Sequence, residues 1–164
     1  MKVYSKVVRN RLSNLLQSMK AAPILNGFIN MPAIHTNNVF NAVDKNGNVW
    51  FVTTTNEVMP TETKVSGRTN LLFTDASIDE TNMVSVYGQA EITTIIPTTN
   101  FKAGKELRDW MLSTKGANTI AIKVTPDEAC FWNADTFAYE TLFKLENMGV
   151  ITLDQENTDI ALSA

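Results

Sequence analysis

The sequence predicts a mainly β chain, an antiparallel barrel, closed or partly closed, with flanking helices. Three observations predict it. Short runs of β-branched and aromatic residues recur at hairpin spacing. One of them, Met83–Ile92, alternates between two faces. No strand–helix–strand rhythm of the kind a parallel sheet needs is visible. The chain of 164 residues reads as one domain over 1–153, with a polar tail at 154–164 that is expected to fray.

The elements follow in order. Over Tyr4–Lys20, Val8, Leu12, Leu15, Leu16 and Met19 recur at helical spacing, and Pro23 limits any extension. This helix reads as a cap on one end of the barrel rather than as a partner-binding helix. Val39–Val43 is a short strand, Asp44–Asn48 a turn carrying Asn46-Gly47, and Val49–Thr55 the returning strand. A polar stretch spans 56–69, and Asn70–Thr74 is the next strand. In Met83–Ile92 the set Val84, Val86, Gly88, Ala90 and Ile92 faces inward, with Gly88 permitting a bend or the close approach of another backbone.

Phe101–Ser113 is a second helix, with Asn100 as N-cap and Leu107, Trp110 and Met111 on one stripe. Ile120, Ile122 and Val124 face inward from a strand that ends at a Pro126-Asp127 turn. Cys130–Asn133 and Thr136–Leu145 are strands. In the latter, Phe137, Tyr139, Thr141, Phe143 and Leu145 share a face. The count is six or seven strands and two helices.

Composition excludes several classes. One cysteine closes no intramolecular disulfide and builds no Cys-rich zinc site. With 14 Lys and Arg against 17 Asp and Glu, the net charge is −3, which argues against a broad basic surface for nucleic acid. No run approaches the roughly 18 apolar residues of a membrane span, and charges interrupt the first twelve residues where a signal peptide would be apolar. A soluble, cytoplasmic protein with no nucleic-acid or membrane partner is expected.

Catalytic templates are missing. His35 has no second histidine at metal-ligand spacing, and Cys130 stands beside Phe131 and Trp132, where a buried structural thiol is usual. A Cys130–His35 pair stays open on sequence alone. There is no G-x-S-x-G elbow, no phosphate-binding lysine loop and no G-x-G-x-x-G. No catalytic and no metal-ligating residue is assigned. Two clusters remain. Thr53, Thr54 and Thr55 end a strand, and Thr61, Thr63, Lys64, Ser66, Gly67, Arg68 and Thr69 follow. Hydroxyls with a point charge and a guanidinium fork are the ingredients of a phosphate site, and equally of a solvated polar loop. Trp50, Tyr87, Trp110 and Trp132 are the second cluster: walls for a flat ligand, or core packing.

In their order, DKNGNVWFVTT, NMVSVYGQAEI and AIKVTPDEACFWN resemble segments of the pyridoxamine 5′-phosphate oxidase-like split-barrel flavoproteins, nearest to the general stress protein branch. The resemblance covers about Asn26–Asn133. It implies a six-stranded antiparallel split β-barrel of the FMN-binding type, with an N-terminal helix and one helix before the late strands. It also implies a homodimer with FMN at the interface, and a flavin-dependent oxidoreductase or stress-related redox role. Thr53, Thr54, Thr55 and Lys64 match the family's phosphate-binding positions. Trp132 matches a late Trp that lies near the flavin ring of the partner chain, and Gln89 lies in an interface strand. Where the family carries Arg-Pro-Met this chain has Met31-Pro32-Ala33, so Arg68 is the candidate to replace the missing charge. The alternative is a non-catalytic flavin-binding or cofactor-free dimeric barrel acting as sensor or interaction module.

Overall fold

The structure, a computed structural model, describes residues 5–19, 23–26, 38–56, 66–74, 82–114, 118–133, 135–146 and 149–151. The elements are α1 (Lys6–Ser18), β1 (Ile24–Asn26), β2 (Phe40–Val43), β3 (Val49–Thr55), β4 (Ser66–Thr74), β5 (Met83–Thr93), a 3₁₀ turn (Thr98–Asn100), α2 (Gly104–Ser113), β6 (Asn118–Asn133), β7 (Ala138–Glu146) and β8 (Gly149–Ile151). The chain is mainly β, with one helix before the sheet and one before the late strands. All strands join one antiparallel sheet, in the order β1-β4-β5-β6-β3-β2, with β7 and β8 branching from β6. Among the described residues no ladder joins β1 to β2, so the sheet is open.

The branch explains the architecture. β6 is 16 residues long. Its first half, Asn118–Val124, pairs with β3, and its second half, Glu128–Asn133, pairs with β7. β5 pairs with both halves from the other side. The Pro126-Asp127 turn expected from sequence is therefore absent, and the strand runs through it. Proline lacks the N–H that a ladder needs and is tolerated at a bulge. The register shifts there, between Tyr87 and Gly88, so that Gly88 faces Pro126 and Asp127 is the extra residue. A Cβ on Gly88 would stand 2.2 Å from the Thr125 carbonyl oxygen. The expected close approach is real, and only glycine fits it.

Two apolar clusters cover the two sides of β3. Val49 and Phe51 join the main core with Val84, Val86, Ala90, Ile92, Ile120, Ile122 and Val124. Trp50 and Val52 join a smaller cluster with Phe101, Leu107 and Ala121 under α2. β3 is thus buried at all seven positions. α1 flanks the sheet and buries its apolar stripe: Val8, Leu12, Leu16 and Met19 are 0–1% exposed within the main core. Each contributes roughly 1.5–3 kcal/mol of burial. Ser5 caps α1 by accepting from Val8 N at 3.2 Å.

α2 starts later than the sequence suggests. Asn100 closes the 3₁₀ turn instead of capping α2. Phe101 is drawn under the helix against Trp50, with ring centroids 5.5 Å apart, and the helix begins at Gly104 without a side-chain cap. β4 begins earlier than expected, because Ser66–Thr69 pair with Glu91–Gly88. In β7 a second register shift, opposite Ala129 and Cys130, inserts Leu142 between Thr141 and Phe143. The expected common face is broken there: Phe143 is buried, while Phe137 and Tyr139 are 79% and 64% exposed. β1 and β8 were not legible in the pattern.

The β2–β3 hairpin is held by one buried carboxylate. Asp44, 3% exposed, accepts at Oδ1 from the backbone N–H groups of Asn46 and Asn48, both at 2.9 Å. Its Oδ2 accepts from Asn48 Nδ2 at 3.1 Å and Trp50 Nε1 at 2.8 Å. Gly47, at φ 86°, supplies the left-handed residue of the turn.

Gly88→Ala is expected to cost more than about 3 kcal/mol in urea unfolding, or to prevent folding. Gly67→Ala, in the next strand, meets nothing within 4 Å and should change stability by less than about 1 kcal/mol. Equal effects would refute the close-approach account. Asp44→Ala strands the buried Trp50 N–H and should cost about 2–3 kcal/mol in the same measurement.

Candidate functional site

The threonine row lies at the end of β3, opposite Asn118–Ile120 of β6. All three residues are buried, at 1%, 3% and 0% exposure for Thr53, Thr54 and Thr55. Strand alternation splits them. Thr53 and Thr55 continue the Phe51 face and Thr54 the Trp50 face, so three hydroxyls do not converge on one side. Thr53 Oγ1 donates to the Asn38 carbonyl at 3.1 Å. Lys64, Thr61, Thr63 and His35 lie outside the described residues.

Arg68 is on a strand, not in a loop. It sits opposite Gln89 on β5, which in turn sits opposite Thr125 of β6. Both side chains are exposed, and Thr69 beside Arg68 is buried. The guanidinium is engaged: Nη1 and Nη2 donate to the two oxygens of Asp127 at 2.5 and 3.0 Å. The bulge that Gly88 accommodates makes Asp127 the extra residue of β6, and its carboxylate meets Arg68 across β5. The bond and charge of Asp127 raise the Arg68 pKa above its ordinary value. The fork that a phosphate would use is therefore held by a carboxylate.

Trp132 stands at the far end of β6, opposite Met83 and Tyr139. Ile120 to Trp132 is twelve residues, about 40 Å of strand at roughly 3.3 Å each. One chain does not bring Trp132 to the threonines. Trp132 belongs to an aromatic group of its own, with ring centroids 4.9 Å from Tyr139 and 6.5 Å from Phe137. Phe137 has φ 55°, a left-handed conformation that disfavours a bulky residue. Of the other aromatics, Trp50 is core beneath α2, and its N–H is held by Asp44. Tyr87 is half-buried on β5.

A concavity lies elsewhere. A cavity of about 560 Å³ opens between α1, β2 and α2, within the range ligand pockets occupy. Phe40 and Trp110 form one wall, with ring centroids 6.2 Å apart. Trp110 Nε1 donates to Asn38 Oδ1 at 2.9 Å. Of these residues, sequence reasoning singled out Trp110, on the stripe of the second helix and as one of four dispersed aromatics. Asn38, Asn41 and Glu106 left no signal, since surface amides and helix carboxylates are common.

Cys130 is half-buried. Burial pushes its thiol above the ordinary range, and the nearby Glu128 charge adds to this. That is the opposite of an activated nucleophile. Among the described residues no group of three or more His, Cys, Asp or Glu is placed to hold a metal. No helix among them is long and apolar enough to cross a membrane.

Comparison of the chain with protein-family models, with curated proteins and with solved structures found no match.

Cys130 should react slowly. Alkylation by iodoacetamide at pH 8 is expected to run about tenfold slower in the native protein than in guanidinium, because the thiolate fraction and access both fall. An equal or faster native rate would show a reactive thiol.

Proposed function

We propose that the chain is an FMN-binding split barrel that acts as a homodimer in flavin-dependent redox chemistry. The observation that carries the reading is the branched β6: one long strand holds two half-sheets, β3 with β2 on one half and β7 with β8 on the other. An antiparallel sheet with one helix before it and one before the late strands is compatible with the split barrel that the resemblance implies. The separation of Trp132 from the threonine row supports the dimer. A second copy is what would bring the aromatic end of one chain to the β3 end of another. Phe137 and Tyr139, exposed beside Trp132, are apolar surface that such a contact would cover.

The residues fit the group in part. The end of β3 carries hydroxyls, buried and divided between its two faces, and Lys64 follows it in sequence. Arg68, bound to Asp127, does not supply the charge of the missing arginine unless that pair opens. Bound flavin would carry the electron transfer; the chain would hold its phosphate with Thr54 and Lys64 and shield its ring with Trp132. No side chain in this reading acts as acid or base, consistent with a half-buried Cys130 whose thiol is pushed up. Gln89 stands on the outer face of β5, where a second copy would reach it.

The test is the visible spectrum of the purified protein, followed by FMN titration of any colourless fraction and a mass measurement in solution. A flavin spectrum or saturation at one FMN per chain, in a dimer, supports the reading. A monomer with no flavin binding would overturn it. Lys64→Ala is expected to weaken FMN binding by about tenfold, the loss of one charge-assisted phosphate contact. Unchanged affinity removes Lys64 from the site. Asp127→Ala frees the Arg68 fork: tighter FMN binding would assign Arg68 to the phosphate, and no change would leave it structural.

A further inference from the structure

We propose that the cavity between the start of α1, the β2–β3 turn and the segment leading into α2 binds a compact phosphate-class anion carrying two or more charges. The cavity measures about 220 Å³, and its lining carries four cations, Lys6, Arg9, Lys45 and Lys102, from three separate parts of the chain. Among the described residues none of the four has a carboxylate partner. Four other cations are matched: Arg11 with Glu140, Arg68 with Asp127, Lys105 with Asp109 and Lys123 with Glu91. Around the cavity, Arg9 donates to the Lys45 carbonyl, and Lys45 Nζ donates to the Thr99 carbonyl at 3.3 Å. These bonds hold the two side chains without neutralising either. Asp44 is the one carboxylate among the described lining residues. Both its oxygens already accept from the N–H groups of its own turn and from Trp50.

The placing of two of these cations is unfavourable without an anion. α1 has no acidic residue in its first turn; Lys6 opens the helix and Arg9 follows one turn on. The N-terminus is the positive end of the helix dipole, where carboxylates are favoured and cations are not. Four like charges and that dipole end repel one another, in a chain whose net charge is −3. A bound anion of two or more charges removes the repulsion. The donors name its class. Arg9 offers a planar fork, the three lysines offer point charges, and Asn10 and Ser13 line the same cavity with neutral donors. Several oxygens on one compact, highly charged centre match that set, as in phosphate. The volume lies below the roughly 300 Å³ at which pockets for whole organic ligands begin, so the cavity takes a phosphate group and not a flavin ring. The proposal does not rest on the flavin reading, and it uses none of the residues assigned to FMN.

Pyrophosphate is the probe, titrated calorimetrically into the purified chain at low salt. Saturable binding with a Kd below about 1 mM is expected. Glycerol phosphate is run in parallel: tighter pyrophosphate assigns the site to a free anion, and tighter glycerol phosphate assigns it to the phosphate end of an ester. Arg9→Gln and Lys102→Ala should each weaken pyrophosphate about tenfold. Because Arg9 also holds the Lys45 carbonyl, Lys102→Ala, at an exposed position, is the variant that should keep the thermal midpoint. Lys6→Glu supplies the missing first-turn carboxylate. It should raise the midpoint of the free protein and abolish the further rise that pyrophosphate gives the parent chain. Lys64→Ala should leave pyrophosphate affinity unchanged. The proposal is overturned by no saturable binding, or by full affinity in both Arg9→Gln and Lys102→Ala. Loss of binding in Lys64→Ala with full affinity in Lys102→Ala would also overturn it, by moving the anion to the position assigned to the flavin phosphate. Flavin absorbance in the same samples reports FMN separately, so failure of one reading leaves the other standing.

Discussion

Everything in the sheet depends on one close approach, that of the Gly88 backbone to the carbonyl of Thr125. Without it, Pro126 and Asp127 would end the strand that begins at Asn118. With it, β6 runs to Asn133 and carries two half-sheets on the same edge. The missing Cβ at Gly88 makes room, the missing N–H at Pro126 costs nothing at a bulge, and the extra residue, Asp127, finds Arg68 across the neighbouring strand. That ion pair is mostly exposed on the arginine side, so its own contribution to stability is small. Its consequence is chemical: the Arg68 guanidinium already has a carboxylate partner.

The second constraint is the burial of β3 on both faces. A strand covered by the main core on one side and by α2 on the other must be apolar throughout, as VWFV is. It can carry polar groups only at its end, where Thr53, Thr54 and Thr55 fall. The same packing explains why Asp44 is buried. Trp50 must lie under α2 against Phe101, its indole N–H needs a partner, and the hairpin carboxylate provides one while ordering the turn. Turn, aromatic packing and helix docking are thus one interaction seen from three sides. The Lys45 N–H extends it by donating to the Asn100 carbonyl at 2.9 Å.

What was legible in the sequence follows the same division. Alternation exposed the inward set on β5, because the extra residue of the bulge lies on β6 and Val84, Val86, Ala90 and Ile92 all reach the main core. Helical spacing exposed α1, whose buried stripe is the one expected. Asn46-Gly47 exposed the hairpin. The failures sit where the chain departs from regular repeat. Pro126-Asp127 reads as a turn because sequence does not show that a glycine lies opposite it. Thr136–Leu145 reads as one clean face because the inserted Leu142 leaves no mark in composition. Asn100 reads as a cap because the pull of Trp50 on Phe101 is a tertiary effect. The candidate site was legible only as ingredients. Thr53, Thr54 and Thr55 are adjacent in sequence but split between two faces, and the charge nearest in type, Arg68, already has a partner.

The geometry also separates two regions. The threonines and Trp132 lie at opposite ends of one long strand, so any ligand touching both needs two chains, and its binding is then linked to association by mass action. The cavity bounded by α1, β2 and α2 is formed within one chain, and its walls are tied to the fold by the Trp110–Asn38–Thr53 chain of hydrogen bonds. Thr53 opens the threonine row, and its hydroxyl donates to the Asn38 carbonyl while the Asn38 side chain accepts from Trp110. One residue thereby ties the start of that row to α2.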